Sequence, residues 1–169
     1  MSLLTCFLRP LLTTGLLLVS ITSVAVDVPD ANVLEPGFRE KTFGDYTVHF
    51  STFSSAFITP EVAEVYGITR ARNQILVNVS VTQTDAGKTS LGLGATINGT
   101  ASNLLQQQRV LDFAEINEGN ATYYLAPLKH TNEEVYNFSI TVTPTGTNHE
   151  DAAPMTVKFS RKLYVEEAE

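Results

Sequence analysis

The side chains able to do chemistry are few and scattered. The three histidines, His49, His130 and His149, stand far apart in the sequence. No single helix or strand therefore presents two imidazoles to one metal ion, which would need them within about four residues of each other. Convergence in space stays open, and His49 is the best placed, because it alternates out of a strand-like run between Thr47 and Ser51. The carboxylate pairs Glu61/Glu64, Glu115/Glu118 and Glu133/Glu134 could do acid–base work if they faced a cleft with separated pKa values. Each lies at a helix start or a turn, where acids serve capping and solvation. Nucleophilic catalysis has no Gly-x-Ser-x-Gly elbow to use, and the only cysteine, Cys6, lies in a segment expected to be removed. No EF-hand, phosphate loop or dinucleotide fingerprint is present. The sequence thus points to no catalytic residue, no metal ligand and no cofactor.

Arginine offers a different chemistry. The chain carries 11 Lys plus Arg against 18 Asp plus Glu, a net charge of −7. In that acidic background Arg70 and Arg72 could clamp an anionic ligand or a partner's carboxylate, or pair locally with Glu61 or Glu64. With His49 and Tyr66 they form the candidate binding surface, within residues 49–72, since Arg and aromatic residues are enriched at interface hot spots. The competing structural reading is that Phe53, Phe57 and Tyr66 only dock a helix on a sheet. The same acidic balance argues against nucleic acid as a partner, because phosphate backbones reward Lys and Arg clusters.

The elements that must position these residues are mostly strands. Tyr46, Val48 and Phe50 alternate with polar neighbours; Phe53 and Phe57 fall on the opposite parity, which predicts a bulge near Ser51-Thr52 or a bend. Ile75, Val77, Val79 and Val81 form the cleanest half-buried strand. After a turn at Asp85-Ala86-Gly87-Lys88, Leu91, Leu93, Ala95 and Ile97 lead to Asn98-Gly99, which reads as a hairpin turn. Residues 109–116 have mixed parity. Further strands follow at 121–125, at 136–142 and from Met155 through Leu163. One helix is predicted near residues 60–66, with Thr59 as N-cap, Pro60 at the first position, Gly67 past the end, and Val62, Val65 and Tyr66 on one face. Seven short alternating strands imply an all-β fold, an antiparallel two-sheet sandwich, with a closed barrel as competitor. Tyr136, two residues before inward Phe138, occupies a tyrosine-corner position and suggests an immunoglobulin-like topology, although it also reads as an ordinary core aromatic.

The N-terminus carries an address. Arg9 is the only charge before Asp27, residues 10–26 are a charge-free run of 17, and Ser23-Val24-Ala25 resembles a cleavage site. This reads as a signal peptide over 1–25, cleaved near Ala25. The run falls short of the roughly 20 apolar residues of a membrane span, so no span is expected after cleavage. Residues 26–38, with Asp27, Pro29, Asp30, Glu35, Pro36 and Gly37, read as a mobile leader, and 39–169 as a single β-sandwich domain.

Several blocks carry a family likeness. Phe43-Gly44-Asp45-Tyr46-Thr47-Val48-His49-Phe50, Thr59-Pro60-Glu61-Val62-Ala63 with Tyr66-Gly67-Ile68 and Arg70, and Val77-Asn78-Val79-Ser80-Val81 resemble one family of exported Gram-negative bacterial proteins, domain-of-unknown-function family 4426. Glu115-Ile116, Glu118-Gly119 and Tyr123-Tyr124-Leu125 are similar to its later block. The resemblance implies a small periplasmic β domain and brings no activity or catalytic residue with it. The expected function is a non-catalytic periplasmic binding or assembly module, whose partner is a periplasmic or envelope protein or a small anionic ligand. The alternative is a metal-assisted or carboxylate-based enzyme using His49 with Glu61 or Glu64.

Overall fold

The computed structural model describes residues 39–146, 149 and 151–166. The expected signal peptide (1–25) and leader (26–38) lie outside the described residues. The strands are β1 (Arg39–Phe43), β2 (Tyr46–Ser54), β3 (Gln74–Asp85), β4 (Lys88–Thr89), β5 (Ala95–Asn103), β6 (Gln108–Leu111), β7 (Ala114–Glu118), β8 (Ala121–Lys129), β9 (Glu134–Pro144) and β10 (Met155–Leu163), with a short helix α1 (Pro60–Val65) between β2 and β3. They make two antiparallel sheets, β1-β2-β3-β8-β7 with β4 beside β3, and β10-β9-β5-β6. Set β1 and β4 aside, and β2-β3-β8-β7 faces β10-β9-β5: the four-on-three strand order of an immunoglobulin constant-type sandwich, with β6 added to the smaller sheet. Among the described residues each sheet ends in two edge strands, β1 and β7 or β10 and β6, so the barrel alternative is set aside.

Alternation builds the core. Val48, Val77, Val79, Val81, Ile140 and Val142 are fully buried, and Phe50, Phe138 and Val157 nearly so. Burying one such side chain contributes about 1.5–3 kcal/mol. Leu93 and Phe159 are partly buried and pack against the margin of this core. Asp85-Ala86-Gly87-Lys88 is the expected turn: Ala86 and Gly87 both have positive φ, 47° and 77°, which matches the right-handed twist of the flanking strands.

Four local expectations fail, each for a physical reason. β2 has no bulge; its register with β3 runs unbroken from Tyr46↔Gln83 to Ser54↔Ile75. The inward parity simply continues in small polar residues, Thr52 and Ser54, while Phe53 lies on the outer face. Asn98-Gly99 is not a turn but the middle of β5. A Cβ on Gly99 would come within 2.8 Å of the Phe113 ring, so glycine here serves close packing. The mixed parity of 109–116 belongs to two strands in different sheets, β6 and β7, with the chain crossing at Asp112-Phe113. In α1 the inward residue is Ala63, whereas Val65 is 75% exposed and Val62 is also exposed. β1, which sequence reasoning did not anticipate, adds an edge strand to β2.

The tyrosine corner takes a modified form. Tyr136 is buried, and its hydroxyl meets the Glu134 carboxylate rather than an upstream backbone group. Glu134 also accepts from the Asn103 side chain (3.0 Å), the Thr131 N–H (2.8 Å) and the Thr131 hydroxyl (2.9 Å). Burial works against its charge, but the bonds from Thr131, Asn103 and Tyr136 outweigh it and hold the carboxyl at about 2.

Two predictions follow from this packing. Val79→Asp places an unpaired charge in the core and should cost about 4 kcal/mol or more, whereas Asn98→Asp, on the exposed face of β5, should stay within about 0.5 kcal/mol. Urea denaturation of both checks it, and equal effects would contradict the register. For Glu134, a carboxyl held below its ordinary value of 4.5 lends stability above that value and loses it as pH falls towards about 2. The gap in thermal midpoint between the native protein and Glu134→Gln should therefore shrink across that window; a gap independent of pH would contradict the network.

Candidate functional site

A strap of chain, residues 55–73, crosses from β2 to β3 and carries most of the candidate residues. Its entry is a 3-10 turn, Ser55–Phe57, in which the Ser54 hydroxyl accepts from the Ala56 N–H. The Thr59 hydroxyl caps α1 by accepting from the Val62 N–H at 3.4 Å. The exit is a Schellman motif: the Ile68 N–H reaches the Ala63 carbonyl (2.8 Å) and the Gly67 N–H the Glu64 carbonyl (3.3 Å). Gly67 has φ of +63°, a conformation that glycine adopts without a Cβ penalty. A helix of six residues cannot stand alone, and polar clamps hold it. The buried Ser55 hydroxyl donates to the Ala71 carbonyl and accepts from the Ala71 N–H. The Gln74 side chain donates to the Thr69 carbonyl at 2.7 Å.

The strap walls a groove of about 280 Å³ on the outer face of the larger sheet. Leu76, only 1% exposed, and Ile116 form its floor; Leu125 and Pro127 continue the floor, and Tyr66 and Ile68 form the wall. Asp112 brings a carboxylate to the rim. A second apolar layer thus lies outside the sandwich core. Sequence reasoning missed it, although Leu76, apolar on the outward parity of β3, was its visible signal.

The four candidate residues do not form one cluster. Tyr66 lines the groove. Arg70 is exposed and donates to the Ala56 carbonyl at 3.0 Å. Glu61, held below the usual carboxylate range by its backbone hydrogen bond and by the Thr59 hydroxyl, also feels the Arg70 charge. Arg72 is exposed, and its carbonyl accepts the Glu166 N–H. His49 sits elsewhere: it pairs with Ser80 in the register, where Phe53 pairs with Leu76. Four residues of extended chain separate the two places, roughly 13 Å. There the imidazole Nε2 lies 3.0 Å from the Thr82 hydroxyl, and Nδ1 lies 3.3 Å from Glu40 on the neighbouring strand. The carboxylate it meets is Glu40, not Glu61 or Glu64. Phe57 is 72% exposed, so little of its ring is buried against the sheet.

The family model described as a domain of unknown function, DUF4426, matches residues 40–166. The chain belongs to the DUF4426 family. A DUF4426 family protein from Pseudomonas aeruginosa PAO1, solved as a crystal structure, superposes with a TM-score of 0.65 at 29% identity, covering 78% of this chain and 98% of that one. A copper-bound variant of FetP from uropathogenic Escherichia coli strain F11 has a TM-score of 0.51 at 13% identity, covering 79% and 94%. "As isolated" FetP from the same strain, expressed in the periplasm of E. coli, gives 0.51 at 14%, covering 79% and 97%. No curated protein matches the chain.

The remaining histidines of this DUF4426 chain are apart from each other as well. His130 is buried, with Nδ1 2.9 Å from the Thr131 carbonyl. His149 Nδ1 meets the Tyr46 hydroxyl at 2.9 Å. Among the described residues no three His, Cys, Asp or Glu side chains gather. One carboxylate pair separates: Glu133 meets Lys162 while Glu134 turns to Asn103. Glu115 accepts from the Asn117 side chain. No helix of the described residues is long and apolar enough to cross a membrane.

Proposed function

We propose that this DUF4426 protein is a non-catalytic binding or assembly module of the periplasm, working through the groove beside Tyr66. The observation that carries the reading is the groove itself. An immunoglobulin-like sandwich needs apolar residues only on its inner faces, yet here Leu76, Ile116, Leu125 and Pro127 line an outer one. The shape suits contact with an apolar side chain of an envelope protein. Arg70 and Arg72, both exposed in a chain of net charge −7, favour a partner that carries a carboxylate beside that side chain. The periplasmic placement rests on the charge and apolar pattern of residues 1–25.

One observation favours a second reading. His49 and Glu40 supply an imidazole and a carboxylate 3.3 Å apart, and FetP, which shares the fold, has been obtained with copper bound. Copper and zinc sites take three or four such donors, and no third gathers here among the described residues. The described His, Cys, Asp and Glu residues do not form a copper centre.

Ala114 is exposed on the groove wall, so Ala114→Trp fills the groove without touching the core. A periplasmic extract passed over the exported chain should yield a partner that Ala114→Trp no longer captures and Arg70→Ala/Arg72→Ala captures weakly, with thermal midpoints moved by only a few degrees. Equal recovery on Ala114→Trp would overturn the groove. Stoichiometric copper or zinc in the purified protein, lost in His49→Ala, would establish the metal reading in its place.

A further inference from the structure

Where β2 and β10 pass each other, the margin of the sandwich holds a charge at a position that alternation reserves for the core. Along β10, Met155, Val157, Phe159, Arg161 and Leu163 share the inward parity. The Phe159 ring stacks on Phe50 of β2 with centroids 4.8 Å apart. One step of two residues leads from Phe159 to Arg161, and the same step along β2 leads from Phe50 to Thr52. Thr52 and Arg161 accordingly line one cleft of about 240 Å³, together with Phe57, Leu163 and Tyr164. β1 pairs with β2 only as far as Arg39 opposite Phe50, so no described strand covers that edge of β2 beyond Phe50.

Folding alone does not account for two features of this cleft. Thr52 is only 7% exposed, yet its buried hydroxyl has no hydrogen-bond partner among the described residues. A buried hydroxyl without a partner costs the fold free energy. Arg161 is half-buried and, among the described residues, ion-pairs with no carboxylate. Burial, and then the positive charge of Arg39, push its guanidinium below the ordinary arginine value. Glu166 stands on the rim without forming a salt bridge to it. Lys162, the other cation of the wall, is neutralised by Glu133 at 2.6 Å. Among the described residues, a half-buried cation with no ion-pair partner therefore lines this cavity, next to Thr52, whose hydroxyl is buried and has no hydrogen-bond partner.

We propose that this cleft binds a small carboxylate with an apolar or aromatic body. The Arg161 guanidinium matches a carboxylate in a two-point fork, and a turn of the Thr52 side chain to another rotamer, which breaks no internal hydrogen bond of its hydroxyl, lets that hydroxyl donate to one of its oxygens. Phe57 and Tyr164, exposed beside the cleft, flank the body and supply contact area. The volume lies below the range of drug-sized sites and limits the body to about one ring. This site is separate from the groove beside Tyr66 and does not rest on it.

The probe is 3-phenylpropionate, with its uncharged amide as control, titrated into the exported chain and followed by backbone amide NMR. The acid should give saturable shifts centred on Thr52, Arg161, Leu163 and Tyr164, and bind at least about tenfold more tightly than the amide. Arg161→Gln should weaken binding about tenfold or more. Thr52→Val should weaken it about fivefold while leaving the thermal midpoint equal or higher, since the deleted hydroxyl has no internal partner to lose. Shifts that do not saturate, equal binding of the amide, or full affinity in Arg161→Gln overturn the site. Should Arg161→Gln fail to fold, Thr52→Val decides: unchanged affinity, or a fall in its midpoint, overturns the proposal.

Discussion

The Phe159 ring lies between Phe50 at 4.8 Å and Phe138 at 4.6 Å, and that stack joins the margin of one sheet to the other. An antibody-type sandwich joins its sheets with a disulfide, which in this strand order would run between β3 and β9. Here the only cysteine of the chain is Cys6, so packing must set both the spacing and the alignment of the sheets. Aliphatic contacts between Val77, Val79, Ile140 and Val142 supply most of the burial, but they are non-directional. Stacked rings prefer particular offsets and separations, which gives β2 and β10 a defined alignment.

That alignment has consequences at both ends of β2. Beyond the stack it brings Thr52 level with Arg161, in a cleft where, among the described residues, the Thr52 hydroxyl has no hydrogen-bond partner and Arg161 no ion pair. Before it, β1 extends the sheet and sets Glu40 beside His49. The strap that leaves β2 has little structure of its own: six helical residues, a Schellman exit and the Ser55 and Gln74 clamps. It depends on the sheet beneath it, and the groove it walls exists because Leu76 and Ile116 face outward from a scaffold already held by its inner core. Binding surfaces on loops carried by a rigid sandwich are the common arrangement.

Legibility followed burial. The centres of β3 and β9 could be read directly, because Ile75, Val77, Val79 and Val81, and Tyr136, Phe138, Ile140 and Val142, form apolar inward faces while the other parity is mostly polar. The helix start was legible through Thr59 and Pro60, and its end through Gly67, since capping is local chemistry. The helix face was not, because three turns of periodicity were unavailable and the inward residue is the smallest, Ala63. Gly99 misled for a related reason: a glycine needed for the Phe113 ring has the same letter as one needed for a turn. Residues 109–116 look like one irregular strand because no residue type marks a crossing between sheets. Of the candidate residues, Tyr66 lines the groove, Arg70 and Arg72 lie on the same strap, and His49 lies on another part of the sheet. Arg161 was readable in principle, as a charge on the inward parity of β10.

The dependence of the sandwich on its aromatic margin is measured most directly by a double-mutant cycle between Phe50 and Phe159. Each is replaced by Leu, singly and together, and unfolding free energies are taken in urea. Direct stacking predicts a coupling of about 0.5–1.5 kcal/mol beyond the separate losses. Strictly additive losses would mean that the rings act as independent filler, and would contradict the stack as the element that aligns β2 with β10.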